Sequence, residues 1–117
     1  MDLVRFVSIE QGEDLILSFS FDEGTEFGID GFIMQRNPKY EFLLQPHERG
    51  PSIDWTDDDE VITIKEVNLW RNEITLKTRY DLYRFDLSKI SENEFKAVVR
   101  ILKKMNFDKA FKFSQNT

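Results

Sequence analysis

Apolar and polar residues alternate with a period of two along the first three quarters of the chain. The clearest run is Leu15, Leu17, Phe19 and Phe21, with Ser18 and Ser20 on the opposite side. That is the pattern of a strand with one face buried and one in water. Similar runs predict strands over 3–9, 30–36, 39–45, 61–67, 73–79 and 82–87. Within them Ile74, Leu76, Thr78 and Tyr80 form one stripe, and Tyr83, Phe85 and Leu87 another. Gly12, Asp22-Glu23-Gly24, Asn37-Pro38 and Arg71-Asn72 punctuate the runs; such residues supply turn dihedrals or fix φ where a chain reverses. The short connections predict antiparallel neighbours.

The period changes at Ser91. Phe95, Val98, Val99, Leu102 and Met105 recur at the spacing of one helical face. Ser91 and Glu94 have the spacing of a capping box, and Ile90 and Phe95 stand at the staple positions. Lys96, Arg100, Lys103 and Lys104 take the outer side and crowd the last turn, where the dipole favours positive charge. Each fully buried apolar side chain contributes about 1.5–3 kcal/mol, so the stripe predicts a helix docked on the sheet. The fold class is α+β: an antiparallel, curved sheet of six to seven strands packed by one C-terminal amphipathic helix. Phe107, Phe111 and Phe113 fit either a further helical turn or an edge strand.

The 117 residues fit one domain, 1–117, and 40% hydrophobic content with 11 Phe is enough for a core. The chain has no cysteine, which excludes disulfides, thiolate metal sites and thiol nucleophiles. The longest apolar runs, such as Phe32-Ile33-Met34, have three residues, against about 20 for a membrane helix. The N-terminus carries no secretion pattern. A cytoplasmic location is the expectation.

Charge is sorted along the chain. Residues 1–60 carry 15 Asp/Glu against 4 Lys/Arg, a net of −11, and residues 61–117 carry 7 against 12, a net of +5. An acidic half of this size repels nucleic acid and attracts a basic partner. The irregular stretch Gln45–Glu60 ends in Asp54-Trp55-Thr56-Asp57-Asp58-Asp59-Glu60. It lacks the alternating ligands and the glycine of a calcium loop, so no metal or cofactor is expected. Tryptophan is enriched in binding hot spots and clustered carboxylates speed encounter with cations. The predicted partner-binding residues are therefore Asp54, Trp55, Asp57, Asp58, Asp59 and Glu60. His47 is the only histidine and sits in no recognisable catalytic motif, so the chain reads as non-catalytic. Tyr80, Tyr83 and Phe85 interleave with Arg79 and Arg84; core aromatics alternating with solvated or paired arginines explain this better than a nucleic-acid platform.

The segment Gly31-Phe32-Ile33-Met34-Gln35-Arg36 reads as a buried strand with Arg36 at its exposed end. Its apolar-apolar-Gln-Arg form follows an acidic segment and precedes an irregular loop, more strands and a late helix. In that plan, carried by Ile33, Met34, Gln35 and Arg36 with the Leu and Phe spacing from Ile74 to Leu102 as support, the chain resembles the immunity protein 10 family of bacterial polymorphic toxin systems. The resemblance implies a small α+β protein that binds and neutralises a toxin without catalysis, the partner being a basic toxin domain. The same outline of strands and a final helix also matches a pleckstrin-homology-like adaptor barrel for a peptide or membrane. A small enzyme using His47 is the remaining alternative. Oligomeric state stays open.

Overall fold

The computed structural model describes residues 2–21, 31–45, 49–53 and 62–116. Eight strands, β1 (Asp2–Gln11), β2 (Leu15–Phe21), β3 (Gly31–Arg36), β4 (Ser52–Ile53), β5 (Glu66–Trp70), β6 (Glu73–Lys77), β7 (Leu82–Asp86) and β8 (Lys112–Gln115), form one sheet. A 3-10 helix, Pro38–Leu43, follows β3, and the helix α1, Glu92–Met105, lies between β7 and β8. The order across the sheet is β4-β3-β2-β1-β7-β6-β5-β8. The fold is α+β with a mostly antiparallel sheet, but two pairings are parallel, β1 with β7 and β5 with β8. Neither pair is consecutive in the chain, so neither is joined by a short turn that would impose an antiparallel arrangement.

The ten-residue β1 joins the two halves. Val4 and Phe6–Gln11 pair with β2, with a register irregularity between Val4 and Phe6, while Asp2 and Leu3 pair with Phe85 and Asp86. The halves face each other across an aromatic core in which Phe85 contacts Phe21 at 4.9 Å, Phe32 at 5.1 Å and Phe19 at 5.9 Å between ring centroids. A single bridge, Ser52 to Thr63, brings β4 beside the segment leading to β5. The sheet curls but does not close, unlike the barrel considered from sequence.

α1 packs on β1 and β2. Both halves of its capping box are formed: Ser91 Oγ accepts from Glu94 N at 3.1 Å, and Ser91 N donates to Glu94 Oε1 at 3.0 Å. Glu94 Oε2 also accepts from Val7 N at 3.2 Å, tying the helix start to β1. The Ser91 backbone hydrogen bond, followed by the contacts from Val7 and the Ser91 side chain, holds the Glu94 carboxyl below its ordinary pKa despite some desolvation. Val98, Ile101, Leu102 and Met105 are buried, with Phe95 and Val99 partly so. The buried face is therefore centred closer to Ile101 than the predicted stripe, which omitted that residue.

Three elements differ from the sequence reading. Residues 39–45 do not form a strand: Pro38 opens a 3-10 helix there, because its fixed φ suits a helix start and it lacks the ladder donor. The strand predicted over 61–67 lies at Glu66–Trp70. Ser52–Ile53, within the stretch read as irregular, supplies the edge strand β4. The open choice at Phe111 and Phe113 is settled by β8, an edge strand that starts at Lys112.

Phe85→Ala should lower unfolding stability by about 3–5 kcal/mol, since the truncation opens a cavity where four aromatic rings meet; chemical denaturation measures it.

Candidate functional site

Period two dictates the central feature. In β3 the side chains of Phe32, Met34 and Arg36 alternate onto the core face, and Arg36 follows its apolar predecessors inside, with 2% of its surface exposed. The expectation of an exposed Arg36 is therefore wrong. A guanidinium can be buried only if its charge is paired and its donors are filled, and here all five N–H groups have acceptors. Nε and Nη2 reach Glu41, Nη2 also reaches Asp108 Oδ2 at 2.7 Å, and Nη1 donates to Asp108 Oδ1 at 2.8 Å and to the Met105 carbonyl at 2.6 Å. Phe107 covers the guanidinium carbon at 4.4 Å.

Four separate stretches of chain meet here. Glu41 comes from the 3-10 helix, and its Oε2 also accepts from Gly50 N at 2.9 Å. Gly50 has φ 122°, a region in which a side chain would strain the backbone. Met105 is in the last turn of α1, so the Arg36 charge satisfies an orphan carbonyl at the negative end of the helix dipole. Burial acts to lower the Arg36 pKa, but the hydrogen bonds it donates to Asp108 and Glu41 outweigh this and raise it above the ordinary arginine value. Conversely, the Arg36 hydrogen bond holds the Asp108 carboxyl below its ordinary 3.8, against a smaller desolvation effect.

Pinning Glu41 inward fixes what the 3-10 helix shows outward. With about three residues per turn, Pro38 and Glu41 share the inner side, and the remaining positions face away. Phe42 is 72% exposed, Leu43 71% and Tyr40 47%. Asn37 Nδ2 donates to Asp14 at 2.7 Å and Lys39 pairs with Glu13 at 2.9 Å, holding the helix start against the β1–β2 turn. Between these parts is an open cleft of about 370 Å³, lined by Arg36, Asn37, Tyr40, Glu41, Leu43 and Ser52 among others.

The partner-binding residues predicted from sequence, Asp54, Trp55, Asp57, Asp58, Asp59 and Glu60, lie outside the described residues, as does His47. Tyr83 and Phe85 are buried, and Arg84 bonds Glu73 across β6 and β7 at 2.7 Å, the core-and-pair arrangement. Among the described residues, no group of three or more His, Cys, Asp or Glu could hold a metal ion, and no helix is long and apolar enough to cross a membrane. The sequence reading missed the exposed apolar side of the 3-10 helix, because Tyr40, Phe42 and Leu44 alternate as a strand would. Comparison with protein-family models, curated proteins and solved structures finds no match for this chain.

Removing the guanidinium strands the buried Glu41 carboxylate, while the Asp108 side chain, 45% exposed, can turn to water. Arg36→Ala should therefore cost about 3–5 kcal/mol, whereas Arg36→Met paired with Glu41→Gln should recover part of that loss, because the glutamine oxygen keeps an acceptor for Gly50 N. Urea midpoints of both variants are the check.

The lowered Asp108 pKa implies stability that is present above its ordinary value of 3.8 and lost as pH falls through the still lower folded-state value. Asp108→Asn should be less stable at neutral pH and show a shallower stability loss on acidification.

Proposed function

We propose that the chain is a non-catalytic protein-binding module, and that its partner docks on the outward side of the 3-10 helix. The observation that carries this reading is the exposure of Phe42, Leu43 and Tyr40 on a segment held from beneath by a buried ion cluster. Single exposed apolar residues are ordinary, but three on one short, anchored turn make a contiguous patch of the kind that marks interaction sites. Anchoring matters energetically. A preorganised apolar anchor loses little conformational freedom on binding, so more of its burial is expressed as affinity.

Charge supports a basic partner. The chain carries a net −6, with the acids concentrated in residues 1–60, the same half that contains the apolar anchor. We infer that Asp54, Asp57, Asp58, Asp59 and Glu60 steer that partner electrostatically, with Trp55 as a second anchor. The more specific form, an immunity protein neutralising a basic toxin domain in the bacterial cytoplasm, rests on the resemblance carried by Ile33, Met34, Gln35 and Arg36, with the Leu and Phe spacing from Ile74 to Leu102 as support.

With the partner identified by affinity capture from the native cell and then purified, Phe42→Ser combined with Leu43→Ser should weaken binding at least about tenfold, as loss of a hot spot does. Unfolding stability should change by no more than about 0.5 kcal/mol per substitution. Loss of stability with unchanged affinity would make the pair folding residues and defeat the docking assignment. Replacing Asp57, Asp58 and Asp59 together by Asn should slow association and flatten its salt dependence. Unchanged rates at low ionic strength would remove the steering role.

A further inference from the structure

The basic half of the chain also concentrates its charge. Lys65, Lys109 and Lys112 line one cleft of about 470 Å³ with Asn106, Ala110, Phe111 and Phe113. All three lysines are exposed, and none forms an ion pair with a carboxylate of the described residues. The nearby acids are committed elsewhere. Asp108 is held by Arg36 and accepts from Ala110 N at 3.2 Å. Glu66 stands opposite Lys112 in β8 and opposite Lys77 in β6, but its Oε1 accepts from Asn68 Nδ2 at 3.3 Å and it does not line the cleft. Asn106 Oδ1 accepts from Phe111 N at 3.1 Å, which leaves its amide N–H groups as donors.

Lys109 adds a second, independent observation. Its φ is 58°, the only left-handed backbone found at a non-glycine among the described residues. That conformation disfavours any residue with a Cβ, and lysine has no local hydrogen bond of the Asn or Asp kind to offset it. Lys109 N donates to Asn106 O at 3.0 Å, so the turn itself would be served at least as well by glycine. A strained residue that keeps a long cationic side chain beside two other lysines without an ion pair among the described residues points to a role for the ammonium group.

We infer that this cleft is an anion site for a phosphate group, either inorganic phosphate or a phosphate monoester. Three ammonium groups and one amide offer donors to several oxygens of a single ion, and their summed charge suits a doubly charged tetrahedral oxyanion better than a lone carboxylate. The cleft shares no lining residue with the one beside the 3-10 helix.

Amide and side-chain NMR spectra of the full chain, titrated with inorganic phosphate at constant ionic strength, test the assignment. Saturable shifts are expected at the Asn106 side chain, Lys109 and Lys112. Each Lys→Gln substitution should weaken binding by about two- to fivefold, and the triple variant should abolish it. A phosphoserine peptide titrated in parallel separates the sources. Saturation by phosphate alone marks a free-ion site, and saturation by the peptide alone marks a site for phosphorylated protein; both keep the cleft as a phosphate site. Lys109→Gly separates binding from folding, because it should raise the melting temperature while weakening phosphate binding. The inference is overturned if neither ligand gives saturable shifts, if chloride reproduces them, if the triple variant still binds, or if Lys109→Gly keeps full affinity.

Discussion

The structure depends on the burial of one charge. Arg36 lies on the core face of β3 because strand geometry permits no other side for it, and the protein accommodates a guanidinium there by surrounding it with acceptors. Desolvating a charge costs several kcal/mol even after relaxation. Geometry that fills every donor offsets this, so partial versions of the cluster are worse than either the whole cluster or none of it. Glu41, Asp108, Met105 and, through Glu41, Gly50 are thereby fixed relative to one another. An apolar contact could hold these segments together, but it would tolerate slippage that a bidentate ion pair does not.

That rigidity bears on the proposed docking surface. The 3-10 helix buries no apolar side chain of its own among the residues Pro38–Leu43; the one buried residue is Glu41. Without the ion pair, Tyr40, Phe42 and Leu43 would belong to a loop able to collapse them onto the nearest hydrophobic surface. With it, they are kept outward. The same interaction therefore ties the core together at its inner end and leaves Tyr40, Phe42 and Leu43 exposed at its outer end.

Much of this was legible in the sequence, and the failures have particular causes. The alternation in Leu15–Phe21 and the Ser91 and Glu94 pair placed β2 and the start of α1, because both are local patterns with local energetics. The alternation Phe32, Met34, Arg36 also pointed inward, yet the charge of arginine argued for solvent. What reversed that argument was Asp108, 72 residues further along the chain, a partner that no local pattern reveals. Residues 39–45 misled in the opposite way, since Tyr40, Phe42 and Leu44 imitate a strand while Pro38 and the tether on Glu41 impose a tighter turn. The parallel pairings were equally hidden, because they join strands far apart in the chain. Charge sorting was plain from composition, but the acids expected to form the docking surface fall at 54–60, outside the described residues.

The position of β1 bears on the order in which the protein can be made. Its first residues pair with Phe85 and Asp86, and Val7 meets Glu94 across 87 positions. During synthesis from the N-terminus, β1 can find β2 almost at once, but its other edge must wait until β7 and α1 have left the ribosome. Distant pairings of this kind slow folding because loop closure precedes any return. For that interval the nascent chain presents an unfilled edge with Leu3 and Val4 beside it, the sort of template on which neighbouring chains join. A strand that unites the finished sheet is thus its most vulnerable part while the chain is still growing.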